Sequence, residues 1–388
     1  MKPYILWLGA IFDEKQILNS KAISPAANNW QRGLIEPLAK KGTSIIMLGH
    51  TPEPIWPRGN LQINYDKYKS GNSITCYLTG YLNAPFIRNK ILISRYWSLL
   101  QNIIKTNGKP KCVITYNPYP HNSETAIKLQ KKLKIPWICI VADMPTSKTE
   151  ISKHKDYIAH SDGVIFLSWD MYKNSKSPIK LHLEGGVTQV KSPANIINPY
   201  TVTDKKIIVY AGSLTKWGGV DLLIEAFKLI NRNDIELWIC GPGKNSTVEY
   251  ENKTNQNINY LGFVNKKKLN EIYETASIFV NPRPSNIIGN EYNFPSKLFE
   301  YMSYLKPIVS TKTLGISPEY ENILIVCENE SPLTISEKIN YVLDWDESKI
   351  ENHRKDTAEF ISKEKTWKSQ TERLTSWLSK EFSLSFNG

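Results

Sequence analysis

Short runs of uninterrupted apolar residues, separated by longer stretches with helical spacing, recur along the chain. YILWLG (4–9), TSIIMLG (43–49), CVITY (112–116), WICIVAD (137–143) and GVIFLS (163–168) are continuously hydrophobic, as strands buried on both faces are. Residues 30–41 and 123–133 between them have the length and spacing of helices. Residues 185–202 break the pattern with Gly, Pro and polar residues, and read as an interdomain linker. The alternation then restarts. Strands are predicted at 206–213, 235–243, 258–264, 277–283 and 323–329, with helices at 220–229 and 267–275. From 332 onward the chain is helical, ending in a stretch at 367–380. The pattern predicts α/β architecture with two doubly wound sheets: a domain over 1–190, a second over 191–365, and a C-terminal helix within 366–388.

The length of 388 residues suits two domains, and 41% hydrophobic with 22% charged residues is the composition of a globular protein. No apolar run approaches the roughly 20 residues of a membrane-spanning helix. The N-terminus reads as a first strand, not a signal peptide, and a cytoplasmic protein is expected. The five cysteines show no CxxC spacing and lie mostly in strand-like runs, as small buried hydrophobes in a reducing compartment do. Charge is asymmetric: residues 1–200 carry net +14 and the rest −2, which together make the chain's +12. An anionic partner is therefore expected for the first half.

Chemistry concentrates at 281–312, NPRPSNIIGNEYNFPSKLFEYMSYLKPIVSTK. Pro295 stands where a helix can start. Lys297, Glu300 and Tyr301 follow at i, i+3 and i+4, so an acid and a base share one face. That pair suits a sugar hydroxyl and a phosphate; it equally suits a surface ion pair. Gly9, Gly49, Asn117, Asp143, Ser213, Gly241 and Arg283 cluster at predicted strand carboxyl ends, where open α/β sheets bind ligands.

The segments YAGSLTKWGGVDLLIEAF (210–227), LWICGPG (237–243), YLGFV (260–264) and NPR followed by FPSKLFEYMSYLKPIVST (294–311) resemble, in order and spacing, the nucleotide-sugar glycosyltransferases of the GT-B fold. They are most similar to the large retaining family 4, and within it to FPSK-type bacterial polysaccharide enzymes. The resemblance covers roughly 185–320; the first half matches in layout and in VADMP (141–145). It implies two facing Rossmann-like domains, the C-terminal helix crossing back to the first. It further implies a transferase, acting with retention and without metal or cofactor, that moves a sugar from a UDP- or GDP-linked donor to a hydroxyl of a saccharide or a polyprenyl-diphosphate-linked acceptor, in bacterial surface polysaccharide or glycolipid synthesis.

On matching positions, Glu300 is implied as the ribose ligand, with Lys297 and the backbone at Ser296 toward the diphosphate. Gly212, Ser213, Gly241, Gly243 and Val264 would border the nucleotide. Phe263 reads better as core packing. The family's usual Arg and Lys of the first turn are replaced by Ser213 and Gly218. Lys216 and Arg283 are the candidate phosphate clamp in their place. The family's first glutamate, eight before Glu300, is replaced by Tyr292; Glu291, nine before, is the candidate donor-sugar contact, with the polar tips of Tyr292 and Asn293 as the alternative and a solvated loop acid as its other reading.

The first domain should hold the acceptor. Asn28 and Asn29 lie in a polar loop (24–30), and Asn117 ends a core strand. Asp143 is the candidate for touching the acceptor hydroxyl or the reacting sugar; capping the turn before Met144-Pro145 is its other reading. His121 and His160 show no partner pattern. Residues 85–109 read first as a helix packed on its sheet, and second as a basic amphipathic helix docking on an anionic membrane. A sugar-nucleotide epimerase on the same fold and a basic nucleic-acid-associated protein are the alternative functions; no helix-turn-helix, zinc or RNP-type pattern supports the latter.

Overall fold

The apolar runs become the central strands of two mainly parallel sheets in the computed structural model, which describes residues 3–20, 22–190, 205–287, 289–290 and 292–385. The chain divides into two units, one of 1–167, 171–185 and 367–388, the other of 168–170 and 186–366. Residues 191–204, on which most of the predicted linker falls, lie outside the described residues.

The first unit runs β1 (Tyr4–Leu8), α1 (Glu14–Leu18), α2 (Pro25–Lys40), β2 (Ser44–Gly49), β3 (Gln62–Ile63), β4 (Asp66–Ser70), β5 (Ile74–Leu78), β6 (Tyr81–Leu82), α3 (Arg88–Asn107), β7 (Cys112–Tyr116), α4 (Pro120–Leu133), β8 (Trp137–Val141), α5 (Lys148–His160), β9 (Gly163–Phe166), α6 (Trp169–Asn174) and β10 (Lys180–His182). Its sheet has the order β10-β9-β8-β7-β1-β2-β5-β4, parallel except at the β4 edge. Every residue of β1, β7 and β8 is buried, as the unbroken apolar runs require.

The second unit runs β11 (Lys206–Ala211), α7 (Val220–Lys228), β12 (Ile235–Cys240), α8 (Ser246–Thr254), β13 (Ile258–Tyr260), α9 (Lys266–Thr275), β14 (Ile278–Asn281), α10 (Lys297–Met302), β15 (Ile308–Ser310), β16 (Ile325–Val326), α11 (Pro332–Leu343) and α12 (Glu347–Glu364). Its six strands are parallel in the order β13-β12-β11-β14-β15-β16, which reverses between β11 and β14, the switch point of a Rossmann sheet. A last helix, α13 (Trp367–Phe382), belongs to the first unit, where Leu374 and Leu378 pack into one core with Trp30, Leu34 and Leu38 of α2.

Three expectations change. The loop read at 24–30 is the start of α2, because Ser24 accepts from the Ala27 N–H and Pro25 takes the first helical position. Residues 62–82, where no strand is predicted, hold four: β3 and β6 are two residues each, and β4 and β5 are five-residue strands whose polar and exposed positions break up any apolar run. The strand read at 258–264 shrinks to Ile258–Tyr260. The packed-helix reading of 85–109 holds: Leu92, Tyr96, Leu100 and Ile103 of α3 are all buried. Among the described residues no helix is long and apolar enough to cross a membrane. All five cysteines are buried free thiols.

The α2–α13 seam depends on the smallest residue. A Cβ on Gly33 would lie 2.1 Å from the Trp367 ring. Gly33→Ala should lower stability by about 1–3 kcal/mol through overpacking, read as a fall in Tm and in the urea midpoint.

Candidate active site

In the second unit, the turns after the strands come close enough to exclude side chains. Gly212 N–H bonds the Cys240 carbonyl at 3.0 Å, Leu214 N–H the Pro242 carbonyl at 2.9 Å, and Gly241 N–H the Gly262 carbonyl at 3.0 Å. Gly241 has φ +145°, and a Cβ there would stand 1.8 Å from the Gly212 carbonyl oxygen. The ends of β11, β12 and β13 therefore form one bonded rim with bare backbone, a surface a phosphate-bearing ligand can approach closely. The Tyr210 hydroxyl donates to the Ser213 carbonyl at 2.7 Å and closes the first turn. Asn290, almost wholly buried, donates from Nδ2 to the Trp217 and Pro284 carbonyls, both at 2.9 Å, and so ties the TKWGG turn to the loop after β14. The Glu330 carboxylate also holds that loop, accepting from Ser285 N–H at 2.8 and 2.9 Å. Asn290 and Glu330 lie far in sequence from some of the groups they bind, and no local pattern marks them.

Helix α10 carries the predicted acid and base. Lys297 Nζ lies 2.7 Å from Glu300 Oε2, and the Tyr273 hydroxyl donates to the same oxygen at 3.2 Å. Both members of the pair are partly exposed, so as an ion pair alone it is worth a few tenths of a kcal/mol. No hydrogen bond from the described residues occupies Glu300 Oε1. Burial, with Tyr301 and Glu300 nearby, drives the Tyr273 phenol well above its ordinary value, so it stays a neutral donor. Lys297 and Glu300 both lie near enough to act on the thiol of Cys240, the last residue of β12. Burial raises that thiol to about 11. With six residues α10 is too short for a strong dipole, so an anion would depend on Lys297 and single N–H groups near Ser296.

Lys216 is exposed, its Nζ 5.8 Å from the centre of the Trp217 ring. Arg283 is half-buried, close enough to act on the Tyr210 phenol, and its carbonyl accepts from Thr311 Oγ1 at 2.6 Å. Ser213 is exposed and meets Thr215 Oγ1 at 3.0 Å. Val264 is half-buried against the core beside α10. Phe263, read as core packing, is instead 76% exposed: β13 ends at Tyr260, and the ring projects from the following turn. Glu291 lies outside the described residues.

The first unit carries an open pocket of about 750 Å³ at the carboxyl ends of β1, β2, β7 and β8. Asp143, Asn28, Tyr116, Tyr119, His50 and His121 are among its walls. Asn28 faces it but spends Oδ1 on the Phe12 N–H at 2.6 Å, and Asn29 is exposed on the next position of α2. Asn117, at φ +61°, accepts from Ala142 and Asp143 N–H at 2.8 and 3.3 Å, so it shapes the turn that presents Asp143. His160 is exposed and bonds the Asp156 carbonyl. His121 belongs to the pocket instead. Its ring meets His50 edge-on at 4.8 Å and stacks on Tyr119 at 5.8 Å, and His50 Nδ1 lies 2.8 Å from the Tyr96 hydroxyl. Aromatic faces beside carboxylates and amides let a pocket offer both apolar contact and oriented hydrogen bonds.

Residues 205–344 match the family described as "Glycosyl transferases group 1". A curated relative, an uncharacterized glycosyltransferase of Methanocaldococcus jannaschii, is 29% identical over 174 residues, covering 41% of this chain. That match spans 42% of the relative's own length. Among solved structures, sucrose-phosphate synthase of Thermosynechococcus elongatus superposes with TM-score 0.72 at 14% identity, over 98% of this chain and 100% of that one. Anabaena HepE in complex with UDP superposes with TM-score 0.64 at 12% identity, over 97% and 100%. The fold is GT-B, built from two Rossmann-like units.

The pocket histidines set a pH limit on the first unit. Burial, with Arg88 nearby, lowers His50 to about 4, and burial, His50 and Arg88 hold His121 well below its ordinary value. Both are neutral when folded, while in the unfolded chain they take protons near pH 6.5. Their contribution is therefore complete above that pH and is lost as pH falls toward 4, at about 1.4 kcal/mol per pH unit for each. Urea unfolding at a series of pH values should show this slope, and His50→Gln should flatten it.

Proposed function

We propose that the protein is a glycosyltransferase which binds a nucleoside-diphosphate sugar on the second unit and moves the sugar to a hydroxyl of a saccharide, free or lipid-linked, held by the first. The observation that carries this reading is Glu300, which lies inside the matched segment at the strand ends. Lys297 and Tyr273 hold one of its oxygens, and no hydrogen bond from the described residues takes the other. A carboxylate fixed in that way can accept from a ribose diol. The bare rim at Gly212 and Gly241 takes the diphosphate, and Lys216, Arg283 and Lys297 supply the positive charge that stabilises it as it leaves. That charge serves the role a metal ion serves in other phosphate sites, so transfer is read as metal-independent. Asp143 orients the acceptor hydroxyl in the aromatic pocket. Retention at the anomeric carbon, a UDP or GDP donor, and a place in bacterial surface polysaccharide or glycolipid synthesis on the cytoplasmic side of the membrane complete the proposal.

The epimerase reading needs acid–base groups in both units. The second unit's single histidine, His353, sits on α12 against Trp345, and burial lowers it to about 4. That position favours transfer over epimerisation.

Calorimetric titration with UDP, GDP and ADP should find one nucleotide that binds and raises Tm by mass action. Glu300→Ala should weaken that nucleotide by at least about 10-fold, as loss of a charge-assisted hydrogen-bonding group does, while leaving inorganic pyrophosphate unaffected. Lys216→Ala with Arg283→Ala should weaken both. No response to any nucleotide would refute the proposal. Transfer of radiolabelled sugar, with the anomer read by NMR, tests the chemistry.

A further inference from the structure

Large apolar side chains left in solvent are concentrated in one part of the first unit. Ile55, Trp56, Leu61, Leu82, Phe86 and Ile87 all stand exposed within residues 55–87, Phe86 completely so. They fall on one short stretch whose backbone is tied together, which serves as a platform. Strand β3 pairs antiparallel with β6, Gln62 opposite Leu82 and Ile63 opposite Tyr81. Ile63 and Tyr81 pack inward, so the alternation of the strands turns Leu82 outward. Asn83, fully buried, binds the pieces together. Its Nδ2 donates to the Pro54 and Asn60 carbonyls at 2.7 and 2.9 Å, its N–H to the Leu61 carbonyl at 2.7 Å, and its own carbonyl accepts from Trp56 N–H at 3.2 Å. Phe86 holds φ +63°, which a bulky residue adopts only under constraint, and its ring is turned away from the protein. Apolar exposure is thus built into a hydrogen-bonded scaffold.

The surrounding charge is positive. Residues 53–90 contain Arg58, Lys67, Lys69, Arg88 and Lys90 against Glu53 and Asp66. The Glu53 carboxylate is already engaged by the Asn60 N–H at 2.8 Å and its Nδ2 at 3.1 Å. Glu53, Arg88 and Asn89 also line the pocket, so the platform adjoins it.

We propose that this platform seats the protein on an anionic lipid surface beside the pocket. Exposed tryptophan, phenylalanine and aliphatic side chains on a stretch rich in lysine and arginine suit the boundary between headgroups and acyl chains. Its net positive charge attracts anionic headgroups and opposes pairing with a second copy bearing the same charge. This deepens the proposed transfer reaction by making its acceptor a lipid-borne one. Lipid binding itself is measured without donor, so the two readings fail separately.

Co-sedimentation with phosphatidylglycerol-rich vesicles, with pure phosphatidylcholine vesicles for comparison, tests it. Wild type should sediment with the anionic vesicles, less so in high salt, and only weakly with the neutral ones. Trp56→Ser, Phe86→Ser and Ile87→Ser combined should cut partition by at least about 10-fold, and Lys67→Glu with Lys69→Glu should lower it as well. Nucleotide-induced thermal shifts should be unchanged in both variants. Three results would overturn the proposal: no sedimentation with anionic vesicles, a triple variant that still sediments fully, or a wild-type dimer in sedimentation velocity that the triple variant abolishes.

Discussion

A helix of six residues does not hold its shape in water, because nucleation costs more than so few bonds return. Helix α10 stands because of one phenol. The Tyr301 hydroxyl accepts from the Ala211 N–H at 2.8 Å and lies 3.2 Å from the Ala211 carbonyl, fully buried at the end of β11. Its ring stacks on Phe279 of β14 with centroids 4.4 Å apart, and Tyr273 closes in edge-on at 5.7 Å. The helix is thereby fastened to the switch point of the sheet. Glu300 and Lys297, one and four residues before Tyr301, inherit their positions from that attachment.

The rest of the site follows the same logic of fixing short segments through buried polar groups. Gly241 and Gly212 bring two turns into contact that any Cβ would separate. Asn290 and Glu330 hold the loop after β14 from two sides. Each anchor satisfies backbone groups that would otherwise be buried unpaired at a cost of about 1–3 kcal/mol, so the loops gain order without a large core of their own.

The central strands were legible in the chain because parallel strands covered on both faces must be almost wholly apolar; β1 and β8 are apolar throughout, and β7 and β11 depart only at Thr115 and at the first residue, Lys206. The acid–base face of α10 was legible because helical spacing alone puts Lys297 and Glu300 together. What escaped was everything set by distant partners. Strands β3 and β6 are two residues each and exist through Asn83, more than 20 residues from the carbonyls it binds. The His50–His121 contact joins the residue after β2 to the first turn of α4 and leaves no periodic trace. The loop expected around Asn28 became helix because Ser24 and Pro25 supplied a start signal stronger than the polar composition. Phe263 was assigned to the core by its residue type, although the strand beneath it stops three residues earlier.

The return of α13 to the first unit bears on how the protein is made. Trp30 and Leu34 on α2 are covered only when residues 367–382 reach them, after the entire second unit has been synthesised. During translation the first unit waits with one apolar helix face open while the second, which apart from 168–170 runs from 186 to 366, is made in full. The unit that begins the chain is therefore the last to be finished, and its nascent form is the one most in need of shelter from aggregation.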